Sequence, residues 1–242
     1  MEPSGARKVT SGSSAFPTQT PTLKKTMTKK ITIRTLLLAA AAASGLATAG
    51  FAQTAGSAPT AGADAGKGLL GQSYVGLDYS YTVLHSSPVP NIQGLSFEYN
   101  QPLNTGFDLN LGMADAWSSR YFGTRARQRS IDATAVAFMP DLTWGRPFIG
   151  VGAGWTWTKV SDVRDNSFVY NLETGVEFQV TKDLSLTPVV SYTDPTSLHV
   201  DNKWGYGVKA HYWITSQWGV SAGIGRDNMV DTTYSVGTTF RF

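Results

Sequence analysis

The chain has no cysteine, and only 15% of its 242 residues are charged. The first absence excludes disulfide scaffolds, thiolate metal sites and cysteine nucleophiles. The second is low for a soluble domain, while an aromatic content of 12% is too high for a disordered one. Acidic residues are scarce at the start. Only Glu2 of the 17 acids precedes residue 53, against seven of the 20 basic residues: Arg7, Lys8, Lys24, Lys25, Lys29, Lys30 and Arg34. The rest of the chain carries 13 basic and 16 acidic residues, a net of −3, so the overall charge of +3 belongs to the leader and nucleic acid is excluded as a partner. Beyond residue 71 there is no helical period of useful length, and no HExxH, P-loop or dinucleotide glycine pattern. Gly150, Gly152 and Gly154 alternate along an extended segment and precede no helix, which argues against a phosphate cradle. No metal site and no cofactor is expected.

What is present begins with an export signal. From Met27 the chain reads a basic stretch with Lys29, Lys30 and Arg34, then the apolar run Leu36 to Ala43, then small residues, the three regions of a secretory leader. Cleavage after Ala52 is preferred to cleavage after Ala49, because Gln53 then opens a polar mature end. The apolar run is shorter than the ~20 residues of a spanning helix. The expected organisation is an N-terminal extension upstream of the true start over 1–26, a signal peptide over 27–52, a flexible periplasmic lead-in over 53–71, and one membrane domain over 72–242.

That last region alternates with a period of two, which sends successive side chains to opposite faces of a strand. Ten segments read this way: 74–83, 93–100, 107–114, 130–139, 147–158, 167–180, 184–193, 203–214, 218–225 and 230–242. In the first, Val75, Leu77, Tyr79, Tyr81 and Val83 oppose Tyr74, Gly76, Asp78, Ser80 and Thr82. Throughout, one face is aromatic and aliphatic and the other is polar or glycine. The links at 101–106, 140–145, 181–183 and 215–217 are tight. Those at 85–92, 115–129, 159–166 and 194–202 read as longer, and 226–229 is short. Short turns on one side, longer loops on the other and both termini on the short-turn side describe an up-and-down antiparallel transmembrane β-barrel, the closed form that leaves no backbone edge unpaired in lipid. The count is ten strands; eight would require merging two weaker segments. Tyr81, Trp155, Trp157, Tyr192, Trp204, Tyr212, Trp218, Phe240 and Phe242 are the candidates for interfacial aromatic girdles.

The last strand carries a resemblance. Tyr234, Val236, Thr238, Phe240 and the terminal Phe242 resemble the C-terminal signal of outer-membrane barrels, an apolar alternation ending in Phe. Pro147 to Trp157 and Gly175 to Leu184 resemble the strand and strand-turn patterns of the small OmpX, OmpA-barrel and opacity-type surface proteins. The resemblance covers residues 72–242 and implies a Gram-negative outer-membrane location and the barrel insertion machinery as a partner. It is specific for architecture and weak for function, since the superfamily includes adhesins, structural barrels, narrow pores and a few enzymes. Ten strands depart from the eight of the common members.

Three readings of chemistry follow. The polar face carries Asp78, Glu98, Asp108, Asp132, Glu173, Glu177 and Asp231 but only Lys209, Arg241 and His211 on the basic side, and unpaired acids in a dry interior would cost several kcal/mol each. Together with the glycines, that excess fits either a narrow cation-preferring pore or a plugged barrel with hydrated acids; the plugged form is preferred. The stretch from Trp117 to Ser130 reads as an outer loop in which Arg120, Arg125, Arg127 and Arg129 either face lipopolysaccharide phosphates, which guanidinium groups bind bidentately, or are simply solvated. Catalysis has thin support: His199-Val200-Asp201 near Ser197 supplies the minimum for hydrolysis, but lipid-deacylating barrels place a Ser where this chain has Asp201. The reading is a non-enzymatic outer-membrane barrel with a structural or surface-interaction role; a small-solute pore is second and a hydrolase third.

Overall fold

A computed structural model describes residues 68–85, 91–120, 125–140, 142, 144–196 and 202–242. The leader, residues 53–67 of the lead-in, and Ser197, His199 and Asp201 lie outside the described residues. Ten strands follow in chain order: β1 (Tyr74–Val83), β2 (Asn91–Asn104), β3 (Phe107–Ser118), β4 (Ala126–Phe138), β5 (Arg146–Val160), β6 (Val163–Gln179), β7 (Leu184–Pro195), β8 (Lys203–Trp213), β9 (Trp218–Asp227) and β10 (Thr232–Arg241). Each pairs antiparallel with its neighbours in sequence, and β1 closes on β10 from Tyr74↔Arg241 to Val83↔Thr232. All ten expected segments are strands, and their two faces are those the alternation gives.

The faces are inverted relative to a soluble barrel. Leu77, Phe97, Met113, Ile131, Val151, Leu172, Val190 and Val236 are exposed on the outside, while Asn100, Asp108, Thr134, Glu173, Thr187 and Lys209 are buried inside. Such a continuous apolar exterior is stable only against lipid, and the chain is a membrane barrel. Paired aromatics mark two bands on it. Trp218 and Phe240 (4.9 Å) and Tyr99 and Phe242 (6.3 Å) lie near the chain ends; Trp155 and Phe168 (5.9 Å) and Tyr192 and Trp204 (4.9 Å) lie towards the opposite rim.

The connections correct the expected loop lengths at the β5–β6 hairpin. Residues 159–166 do not form a long outer loop: β5 and β6 continue pairing to Val160↔Val163, and the chain reverses over Ser161 and Asp162, with Ser161 at φ 55°. Fifteen and seventeen residues make these the longest strands. Two of the tight turns at the other end, 180–183 and 214–217, are fixed by threonine. Thr181 Oγ1 accepts from Leu184 N–H (3.1 Å) and Thr215 Oγ1 from Trp218 N–H (2.9 Å).

The end of the expected flexible lead-in is built into the barrel. Leu70 is completely buried among Val136, Phe138, Phe148 and Val189, and Leu69 packs with Tyr74 and Trp213. Glu177 accepts hydrogen bonds from Leu69 N–H (2.6 Å) and Leu70 N–H (3.3 Å), and Arg146 bridges Glu177 and the Leu70 carbonyl. Gly71, at φ 92°, then turns the chain out of the interior into β1. Two leucines buried at ~1.5–3 kcal/mol each hold this latch, and its polar groups are satisfied by one ion pair. The alternation of the strands could not announce it, because it precedes them.

Two outcomes follow. Leu70→Ala is expected to destabilise the folded barrel in urea titrations by about 2–5 kcal/mol, while Leu103→Ala on the exposed end of β2 stays near neutral; equal effects would remove the latch. A side chain at Gly154 would overlap the Ile131 carbonyl oxygen, so Gly154→Val is expected to deplete the heat-modifiable folded band on gels and Ala153→Val on the lipid face to leave it.

Candidate functional site

The interior is organised by a pairing of glycine with polar side chains across strands. In register, Asp132 faces Gly112 on one side and Gly154 on the other, Glu173 faces Gly150, Asn171 faces Gly152, Asp78 faces Gly237, Glu98 faces Gly76 and Gly112, and Lys209 faces Gly223. The polar side chains lie over several of these glycines closely enough to leave no room for another carbon. A Cβ at Gly150 would stand 2.7 Å from Glu173 Oε1, and one at Gly112 would stand 2.6 Å from Asp132 Oδ1. The space that glycine opens is therefore filled by its neighbour's carboxylate, which changes the meaning of the glycines: they read as room for a lumen and serve as seats for acids.

Every acid and base assigned to the polar face projects inward, and several meet. Asp78 accepts from Lys209 Nζ at 3.3 Å and from Ser221 Oγ at 3.1 Å. Glu98 Oε1 takes both the Tyr74 hydroxyl and the Asn110 amide. Glu177 is held by Arg146 and the latch amides. Arg241 sits at the chain-end mouth, 4.4 Å over the Trp213 ring, donating to Ser216 O and Gln72 Oε1. Asp231, at the opposite rim, accepts from His85 N–H at 2.9 Å; burial raises its carboxyl above the ordinary carboxylate range against that bond. Asp108 is fully buried on β3. Glu173, with both oxygens, and Asp132, with Oδ1, reach no hydrogen-bonding partner among the described residues.

Three interior groups were missed from sequence. Lys203 and Asp227 form a buried ion pair of 2.8 Å, with Asp227 also capping Met229 and Asp231 amides, and Arg146 pairs with Glu177. All three obey the parity of their strands. Arg146 and Asp227 fall just outside the segments 147–158 and 218–225, and Lys203 opens its own. The interior is accordingly less one-sided than the face lists imply.

His211 is buried edge-on to Trp213 at 4.5 Å, directly across from Ser221. The Ser221 hydroxyl donates to Asp78, and the His211 nitrogens reach no partner among the described residues, so these three side chains do not form a nucleophile and base.

The arginine stretch is corrected. Residues 115–118 belong to β3 and 126–129 to β4, so the loop spans only 119–125, and Arg127 and Arg129 stand on the outer wall of the barrel. Their strand position escaped the sequence because Arg127 and Arg129 occupy outward positions where apolar side chains mark a strand elsewhere; Ala126, Gln128 and Ser130 point inward between them. Arg127 makes a two-point contact with Asp115, and Arg129 Nε lies 3.5 Å from the same carboxylate. Arg125 donates to Ser118 O and covers the Trp117 ring at 5.7 Å, and Arg120 is exposed.

No protein-family model matches the chain, and no curated protein does. Solved barrels do. The translocator domain of autotransporter NalP from Neisseria meningitidis is 10% identical and covers 71% of this chain and 88% of its own, with a TM-score of 0.44. An outer-membrane channel from Pseudomonas putida F1 is 12% identical over 77% of this chain and 100% of its own, at 0.41. The attachment invasion locus protein Ail of Yersinia pestis is 12% identical over 71% and 98%, at 0.41.

Proposed function

We propose that the chain is an exported, non-enzymatic outer-membrane barrel with a structural or surface-interaction role, closed to solutes, whose working face is its outer rim. The observation that carries this reading is the filled interior. Acids and amides occupy the gaps opened by cross-strand glycines, and Leu69, Leu70, Tyr74, Phe138, Phe148 and Trp213 pack inside the chain-end mouth. With both termini on the short-turn side, that mouth is periplasmic, and Arg120 and Arg125 face outward at the lipopolysaccharide surface. β10 supplies the strand that the insertion machinery reads: Tyr234, Val236, Thr238 and Phe240 all point to the lipid face, ahead of Phe242.

A second reading, a narrow cation-preferring passage, is favoured by one observation: the Glu173 and Asp132 carboxylates have interior oxygens with no donor among the described residues. Planar-bilayer recording on refolded residues 53–242 in asymmetric KCl separates the two. The closed barrel predicts no discrete steps from protein shown to be folded by heat-modifiable migration; unitary openings with a cation-selective reversal potential would put the passage first. For the rim, Arg120→Ala with Arg125→Ala is expected to reduce co-migration of lipopolysaccharide with the folded barrel on native gels, and unchanged retention would remove these two residues from the account.

A further inference from the structure

Strand register lines up the outward side chains of β2–β6 in three rows. The row nearest the outer rim runs Gln93, Trp117, Arg127, Lys159, Arg164. The next runs Leu95, Asp115, Arg129, Trp157, Asn166, and the one below it Phe97, Met113, Ile131, Trp155, Phe168. Positive charge thus borders directly on apolar surface. Much of this wall lines an open groove of about 1160 Å³, with Leu77, Phe97, Met113 and Ile131 on its apolar side and Arg127, Arg129, Lys159 and Arg164 on its basic side.

The charge is only partly cancelled locally, by Asp115 and Asp165 in the same lining. Asp115 takes Arg127 at two points and Arg129 at one, and no ion pair among the described residues holds Lys159 or Arg164. Nor is it spread around the barrel. The outer halves of β7–β10 present Tyr192, Trp204, Tyr206 and Tyr234 to the outside, with Asp194 and Arg226 as the charged exceptions. A general attraction to anionic lipid needs only scattered cations. A basic cluster on one side, set above a hollow lined by Met, Ile, Phe and Leu, complements one molecule carrying phosphate and acyl chains together.

We propose that this groove is a binding site for a single phosphorylated glycolipid of the outer leaflet. Its phosphates would lie on Arg129, Lys159 and Arg164, and an acyl chain would lie along Met113 and Ile131. Trp157, exposed in the middle row, suits the boundary where sugar meets acyl chain. Arg127 is engaged by Asp115 at two points and offsets that carboxylate beside the phosphate position. The site rests on the reading that the outer rim is the working face, but it makes a narrower claim.

The test uses the folded mature chain in phosphatidylcholine nanodiscs doped with bisphosphorylated hexa-acyl lipid A, with retained lipid counted by native mass spectrometry. The wild-type barrel is expected to keep one lipid A in preference to its dephosphorylated form. Arg129→Ala/Lys159→Ala/Arg164→Ala is expected to lower retention by about tenfold or more, and Met113→Glu to lower it with every cation in place. Lys182→Ala, at the opposite end of the barrel, is the control and leaves retention unchanged. Loss of lipid A in Arg120→Ala/Arg125→Ala but not in the triple variant would overturn the groove and leave the outer-rim reading standing. No retention by the wild type would overturn both. Displacement of lipid A by inorganic phosphate alone, or unchanged retention in Met113→Glu, would show that the apolar half takes no part and would also overturn the proposal.

Discussion

Everything in this barrel depends on one constraint: in lipid, no backbone amide or carbonyl can be left without a partner. Ten antiparallel strands meet it by closing β1 on β10, with Phe242 N–H reaching Ser73 O beyond the last strand pair. Closure fixes which side chains point outward and which point inward. It also decides how wide the interior is and what must fill it. Once the outside is given to lipid, the charged side chains of the strands go inside or to a rim, and the interior has to satisfy charges rather than bury hydrocarbon.

The interior solves this by local complementarity. A carboxylate or amide on one strand lies over a glycine on the next, so bulk and gap alternate around the wall; the Asp78–Lys209 ion pair joins strands distant in sequence, and Glu177 with Arg146 joins the neighbouring β5 and β6. The small apolar core that remains gathers at the chain-end mouth, where the chain brings its own Leu69 and Leu70 to complete it. This division gives the molecule a packed base, a polar middle and a cluster of cations towards the opposite rim. The proposed function lies on the outside because carboxylates and amides occupy the inside.

Much of this was legible in the sequence, and the parts that were not share a physical cause. Alternation is a property of a single strand, so the ten strands and the inward set from Asp78 to Arg241 could be read directly. What alternation cannot mark is a strand end whose outward residues are charged. Arg127, Arg129, Lys159 and Arg164 hid the outer ends of β4, β5 and β6, and the β5–β6 hairpin read as a long loop. The fillings of the interior depend on register between strands: Asp78 meets Lys209 across 131 residues, and nothing in either segment names the other. The latch lay in a stretch of Ala, Gly, Ser and Thr whose composition says flexibility, and only the pair Leu69-Leu70 distinguished its end.

The proposed function requires an interior that is filled rather than open. The absence of native cysteine makes it directly measurable. Thr134, fully buried and bonded to Asn171 at 3.0 Å in the gap over Gly152, is replaced by cysteine in the folded barrel and exposed to a small water-soluble methanethiosulfonate, with Asn104→Cys at an exposed strand end as the reference. A filled interior predicts that Thr134→Cys stays unmodified until the barrel is unfolded. Modification at the rate of the reference would show a water path through the middle of the barrel and contradict the account.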